Sequence, residues 1–250
     1  MPVQTMLKAN RLTLFDRDIF EAFVRPGEVV EVRVLHVFGK SSAWGNEFAK
    51  GTVSGYFDDH NAFCKAVQAA GNTKHGGIYF TLQVIDPRLI GRTFNRLKPS
   101  KLTTADNNVL AYRWLPIDLD PVRPAGISSS DTELKAAWTL KDKIIEGIAK
   151  DKGWSDPIVA MSGNGVHLLY QLEDLPVNDA STLFIKNTLR DLAATYDTET
   201  VKIDRTVSNP GQVWKLYGTT ARKGDIVPAA AYREARPHRT AYIINMGRQS

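Results

Sequence analysis

The chain has 250 residues, 43% of them hydrophobic and 24% charged, enough to bury the core of one large domain or a compact two-part unit. Its single cysteine, Cys64, excludes an internal disulfide and a cysteine-rich zinc knuckle, so no zinc is expected, and no apolar run is long enough to span a membrane. The formal charge of +5 favours a polyanionic partner, and the N-terminus lacks a signal-peptide pattern, which predicts a cytoplasmic protein with no membrane association.

In chain order, residues 16–24 read as a short helix with Ile19, Phe20 and Phe23 on one face. Residues 29–38 read as a strand, and 39–55 as a Gly- and Ser-rich hairpin or loop leading to Tyr56 and Phe57. Asp59 caps a helix that runs to Ala70 and closes at Gly71, with Cys64 in its apolar pattern. Residues 78–85 read as a strand. Residues 87–97 read as a short helix on which Arg88, Arg92 and Arg96 recur at helical spacing, either as a contact to a DNA backbone or as a solvated face.

The segment Trp114-Leu115-Pro116-Ile117-Asp118-Leu119-Asp120 is an apolar run ending in two carboxylates at i and i+2. In a strand both project to one face, with Ile117 and Leu119 in the core behind them. Two such acids repel, and a divalent cation relieves the repulsion; carboxylate oxygens suit Mg²⁺ or Mn²⁺. The pair by itself equally suits a capped loop. After a loop at 121–130, Asp131 opens the longest helix, with Leu134, Ala137, Trp138, Ile144, Ile145 and Ile148 on one side and Gly153 at its end.

Strands at 157–161 and 166–172 then flank the turn Ser162-Gly163-Asn164-Gly165, whose amides can approach an anion, with His167 at the start of the second strand. A plain Asn-Gly hairpin with a satisfied histidine reads the same way. A helix over about 178–196 follows, then a short strand ending in Asp204, a third carboxylate. The segment 213–224 places Lys215, Arg222 and Lys223 around a Gly-Thr turn, a basic group suited to a triphosphate or a nucleic-acid backbone, or simply a solvated loop. From Ala229 a basic stretch (Arg233, Arg236, Arg239, Arg248) reads as a tail. Three carboxylates, a glycine turn with histidine and a basic turn, all at strand ends, fit nucleotidyl transfer through two metals.

The ordered set Asp118-x-Asp120, Ser162-Gly-Asn-Gly-x-His167, Ile203-Asp204 and Lys215-Leu-Tyr-Gly-Thr…Lys223-Gly resembles the archaeo-eukaryotic primase superfamily, in its prim-pol branch found on phages, plasmids and mobile or CRISPR-linked loci. The likeness runs from about residue 30 to 228, through Gly55-Tyr56-Phe57-Asp58, Gly77-Ile78-Tyr79-Phe80 and Tyr112-Arg113-Trp114, and on to Pro121-Val122-Arg123-Pro124. Gln83 and Gln212 depart from the pattern, where asparagine and arginine are expected.

The resemblance implies an α+β catalytic core: an N-terminal αβ unit (about 1–110) joined to an RNA-recognition-motif-like sheet (about 111–228), with the active site in the cleft between them and 229–250 as a basic tail. It implies a single DNA-dependent primase and polymerase domain in which Asp118, Asp120 and Asp204 hold two Mg²⁺ or Mn²⁺ ions. In that reading Ser162, Gly163, Asn164, Gly165, His167, Lys215, Arg222 and Lys223 hold the nucleotide. Expected partners are a single-stranded DNA template, a primer strand, NTPs or dNTPs, and a helicase or CRISPR-associated proteins. The core is expected either to stand alone or to belong to a longer protein. A metal-dependent nuclease and a non-enzymatic replication-origin binder are the alternatives. The first would shorten DNA without nucleotides, and the second would bind DNA without any Asp118 dependence.

Overall fold

The structure, a computed structural model, describes residues 11–247; Arg248 of the basic stretch lies outside the described residues. The chain runs α1 (Arg17–Phe23), β1 (Val30–Lys40), β2 (Phe48–Phe57), α2 (His60–Gly71), β3 (Gly77–Thr81), β4 (Val84–Ile85), β5 (Lys98–Pro99), β6 (Val109–Pro121), α3 (Asp131–Lys152), β7 (Ile158–Met161), β8 (Val166–Pro176), α4 (Asp179–Tyr196), β9 (Val201–Ile203), β10 (Val213–Lys215), β11 (Thr220–Ala221), α5 (Ala229–Tyr232), β12 (Arg239–Thr240) and β13 (Tyr242–Asn245). The fold is α+β, as the sequence predicts. The helix ends follow local chemistry. The Asp59 carboxylate accepts from Ala62 N at the start of α2, a Ser130–Glu133 capping box opens α3, and Gly153 closes it in the left-handed region.

Two mainly antiparallel sheets form the frame. The first has the order β10-β3-β1-β2-β5, and the second β13-β7-β8-β6-β4 with β9 also paired to β6. Helices α3 and α4 pack on β6, β8 and β9, covering the side on which Ile117 and Leu119 are fully buried. The carboxylates of β6 are left on the other side, as the period-2 pattern predicts. No helix among the described residues is long and apolar enough to cross a membrane.

Several expectations change. Of the two readings of 39–55 the hairpin holds and the loop does not: β1 extends to Lys40, β2 begins at Phe48, and a single 3₁₀ turn, Ser42–Trp44, joins them. The strand expected at 78–85 divides between the two sheets, β3 in one and β4 in the other. At the division lies Gln83, whose Oε1 accepts from the amides of Arg113 (2.8 Å) and Trp114 (3.1 Å) while its Nε2 donates to Trp114 O (2.8 Å). This departure from the family pattern is therefore a buried bridge between strands. Next to it, Arg113 is 1% exposed and donates to both carboxylate oxygens of Glu28 and of Asp174, all four bonds at 2.6–2.9 Å. Burial opposes its charge, and the two acids more than offset that, so its pKa is raised.

The expected border near residue 110 is not a clean cut, because β10 returns to the first sheet and β4 serves the second. Nor is 229–247 a loose tail. Strand β13 pairs with β7, Ala241, Tyr242 and Ile243 are buried, and Arg236 and Arg239 pair with Glu133 and Asp131 at the start of α3. Buried apolar residues between the arginines give this stretch a place in the core that its charge alone did not reveal.

Candidate active site

Register brings the site together. Asp118 lies opposite His167 where β6 pairs with β8, and Leu119 lies opposite Ile203 where β6 pairs with β9. The chain leaves β9 with Asp204 N donating to Asp118 O at 2.9 Å. Asp118, Asp120 and Asp204 line one cleft with Ser162, Asn164, His167, Lys215 and Lys223, so most of the residues singled out by sequence meet there. Tyr79, Arg123, Gln212 and Trp214 also line it.

The carboxylates differ in their support. Asp204 caps the next 3₁₀ turn, its Oδ1 accepting from Thr206 N (2.8 Å) and Thr206 Oγ1 (2.7 Å). Asp120 takes Arg123 Nη1 at 3.3 Å. Asp118 Oδ1 is covered by protein and has no hydrogen-bond partner. Burial raises the Asp118 pKa well above the usual carboxylate range, and the charges of Asp120 and Asp204 raise it further, with Lys223 and Arg123 opposing. A covered, unpartnered carboxylate oxygen flanked by two more acids is a donor set that suits a hard divalent cation. Among the described residues, no three carboxylate, imidazole or thiolate side chains are placed so that together they could hold a metal ion.

His167 is 3% exposed, and its Nε2 lies 3.6 Å from Asp118 Oδ1. Its Nδ1 is 2.9 Å from Tyr217 Oη, which itself accepts from Trp214 Nε1 at 3.0 Å. Burial lowers the imidazole pKa to about 3, so the ring is neutral. In the tautomer with its hydrogen on Nε2, the ring accepts from Tyr217 Oη at Nδ1 and points that hydrogen toward Asp118 and the cleft. Trp214 packs on the ring at 4.3 Å between centroids. Tyr217 and Trp214 had no site role in the sequence reading, although both lie in the segment with Lys215.

Lys215 is buried and donates to Ile78 O (3.1 Å), Thr219 Oγ1 (2.7 Å) and Thr220 O (3.0 Å). Those three acceptors use all the hydrogens of an ammonium. Burial, with Arg222 adding repulsion, brings its pKa down to about 7. Its contribution to the cleft is therefore charge at a distance.

The glycine turn is also committed inward. Ser162 N donates to Gly165 O, Gly165 N to Ser162 Oγ, and Gly163 N to Met161 Sδ. The glycines answer to space: a Cβ on Gly163 would lie 2.3 Å from Ala221 Cβ, and one on Gly165 would lie 2.4 Å from Leu119 O. The Asn164 side chain accepts from Ser129 N and donates to Lys223 O, tying three loops together. These residues shape the cleft wall, and the Gly163 and Gly165 amides already have partners at the turn.

Two further groups stand elsewhere. Arg222, unlike Lys223, does not line this cleft; it donates to Thr73 O at 3.1 Å and lines a separate pocket with His75. The three arginines make no helical stripe, because 87–97 is a short 3₁₀ turn, Pro87–Arg92, followed by irregular chain. Arg88 is held by Asp86 on the surface, Arg92 donates to Tyr56 Oη and Thr103 O, and Arg96 is exposed. Trp44, Tyr56 and Trp114 are buried and serve packing.

No family model and no curated protein matches the chain. Solved structures resemble it at low identity. The AEP domain of the cyanophage S-2L primase-polymerase is 14% identical over 92% of this chain and 90% of that chain, with a TM-score of 0.48. Primase RepB′ is 11% identical over 89% of this chain and 51% of that one, with a TM-score of 0.37. The catalytic domain of primase RepB′ in complex with initiator DNA is 11% identical over 89% and 77%, with a TM-score of 0.35.

Proposed function

We propose that this chain is a DNA-dependent nucleotidyltransferase that starts primers on single-stranded DNA and extends them. The observation that carries this reading is the covered, unpartnered Oδ1 of Asp118 between Asp120 and Asp204, in a cleft that also holds His167 and Lys223. Asp118, Asp120 and Asp204 would hold two Mg²⁺ or Mn²⁺ ions. Mg²⁺ is commonly bound by one or two carboxylates plus substrate phosphates, so the ions would be completed by the nucleotide. When bound, such ions supply a lowered pKa for an attacking 3′-hydroxyl and charge neutralisation for the triphosphate.

The chain's own residues position the substrate. His167 offers its Nε2 hydrogen to a phosphate oxygen, with Tyr217 holding the tautomer. Lys215 and Lys223 add positive charge, and Arg123 steadies Asp120. Ser162 and Asn164 keep the wall in place, which serves an in-line transfer that depends on position and charge more than on covalent chemistry.

The test is incorporation of labelled ribo- and deoxyribonucleotides, offered separately, on a single-stranded template with Mg²⁺ or Mn²⁺. Asp118→Asn and Asp204→Asn are expected to abolish incorporation. Folding should be kept or improved in Asp118→Asn, since like-charge repulsion is relieved. Shortening of the DNA without nucleotides would favour a nuclease. DNA binding with no incorporation by the wild-type chain would favour the origin binder.

A further inference from the structure

The outer face of the first sheet continues past the cleft. Lys215 pairs with Tyr79, and Tyr79 with Arg33, so a row crosses from β10 through β3 to β1 on one face. Along β1 and β2, past a bulge at His36 that restores the alternation (Arg33 faces Ser54 and Phe38 faces Lys50), that face ends in a four-residue pattern. Phe38 lies opposite Lys50, and Lys40 opposite Phe48. Residues directly opposite in an antiparallel pair share a face, as do residues two apart in a strand. Two aromatic rings and two lysines therefore alternate on the same surface, about 15 Å along the strand from Arg33 at ~3.3 Å per residue.

The rings meet diagonally, at 5.4 Å between centroids and 81° between planes. They are 73% and 56% exposed, while Val37, Ala49 and Trp44 on the other side of the hairpin are buried. Both lysines are exposed, and among the described residues neither has an ion-pair partner. Glu47 is the one acid between residues 36 and 50. Large apolar side chains left in water at one spot mark a contact surface. Interleaved positive charge selects a polyanion with flat apolar faces, the chemistry that single-stranded nucleic acid offers and a duplex, with its bases stacked inside, does not.

We propose that the β1–β2 hairpin is a stacking platform for single-stranded DNA outside the cleft, with Phe38 and Phe48 taking bases and Lys40 and Lys50 taking phosphates. The direction of travel, toward or away from the acids, rests on the nucleotidyltransferase reading; the binding itself does not.

The test measures anisotropy of a labelled oligothymidylate and of a duplex of equal length, in EDTA and without nucleotides. Phe38→Ser/Phe48→Ser and Lys40→Ser/Lys50→Ser are the variants; both remove exposed groups, and thermal melting checks that they fold. The ring variant is expected to bind the single strand about tenfold more weakly or worse, with its salt dependence and its duplex binding unchanged. The lysine variant is expected to lower the slope of log affinity against log salt by about 1.4, from ~0.7 per phosphate. Wild-type affinity in the ring variant would overturn the proposal. So would sedimentation showing that the rings hold two copies of the chain together while single-strand affinity is unaffected. A wild-type chain that binds single strands through the rings but incorporates no nucleotide would defeat the proposed activity and leave the platform. Incorporation with ring-independent binding would do the reverse.

Discussion

His167 gains its orientation from the Trp214–Tyr217 pair, which sits in the segment following the third acid. Tyr217→Phe removes the partner of Nδ1 and leaves Trp214 Nε1 without an acceptor. The variant is expected to lose about 1–3 kcal/mol of stability and to bind nucleotide more weakly, measured by denaturant unfolding and by titration with a non-hydrolysable triphosphate. Lys215 makes a pH prediction. Its folded pKa of about 7 lies below the ordinary lysine value of 10.5, so between these values the unfolded chain holds a proton that the folded chain has released. Stability should therefore rise with pH across that window, by up to about 1.4 kcal/mol per unit from this group, and the slope should vanish below about pH 7. Denaturant unfolding at pH 7, 8 and 9 should show a flatter profile for Lys215→Met than for the wild type. An identical slope would mean that the lysine is not desolvated as the structure has it.

At the scale of elements, the turn between β7 and β8 holds the cleft by close approach. A Cβ on Gly165 would meet backbone, Leu119 O, on the strand that carries the acids. Gly165→Ala is expected to push β8 away from β6 where Asp118 faces His167, costing about 1–3 kcal/mol and weakening nucleotide binding. Gly71→Ala at the end of α2, where a Cβ meets nothing within 4 Å, is the control and should be neutral or stabilising. Equal effects of the two would remove the case for a steric role. In sequence, the two glycines read equally well as an anion nest or as a tight turn. Only the neighbouring strands decide, because the clash is with atoms from residues 119 and 221 that no local spacing reveals.

For the whole molecule, the decisive feature is that the chain crosses between its two sheets several times. Strand β10 delivers Lys215 to the first sheet, β4 delivers Gln83's neighbours to the second, and β13 closes the second from the C-terminal side. Removing residues 229–250 should then be costly. Burial of Tyr242 and Ile243 alone is worth on the order of 5 kcal/mol, a large share of a domain's usual 5–15 kcal/mol. Thermal melting and limited proteolysis of a 1–228 chain should show a marginal or unfolded protein. An unchanged melting temperature would restore the reading of this stretch as a tail.

The residue pattern alone determined the common face of Asp118 and Asp120, the buried backing of Ile117 and Leu119, and the caps at Asp59 and Gly153; the α+β class and the grouping of the site residues were expected from the resemblance. The former follow from period-2 alternation and cap chemistry, which act over a few residues. Tertiary structure decided the rest. Arg222 turned from the cleft toward Thr73, whose carbonyl accepts from its guanidinium. The arginines of 87–97 made no stripe because the helical turn ends at Arg92 and leaves Arg96 in irregular chain. Gln83 became a bridge, and Lys215 lost its free hydrogens to three oxygens. The partners of Lys215 lie 4 to 137 residues away in sequence, that of Arg222 149 away and those of Gln83 30 and 31 away, and long-range pairing of that kind is set by which strands lie side by side, information that no local pattern carries.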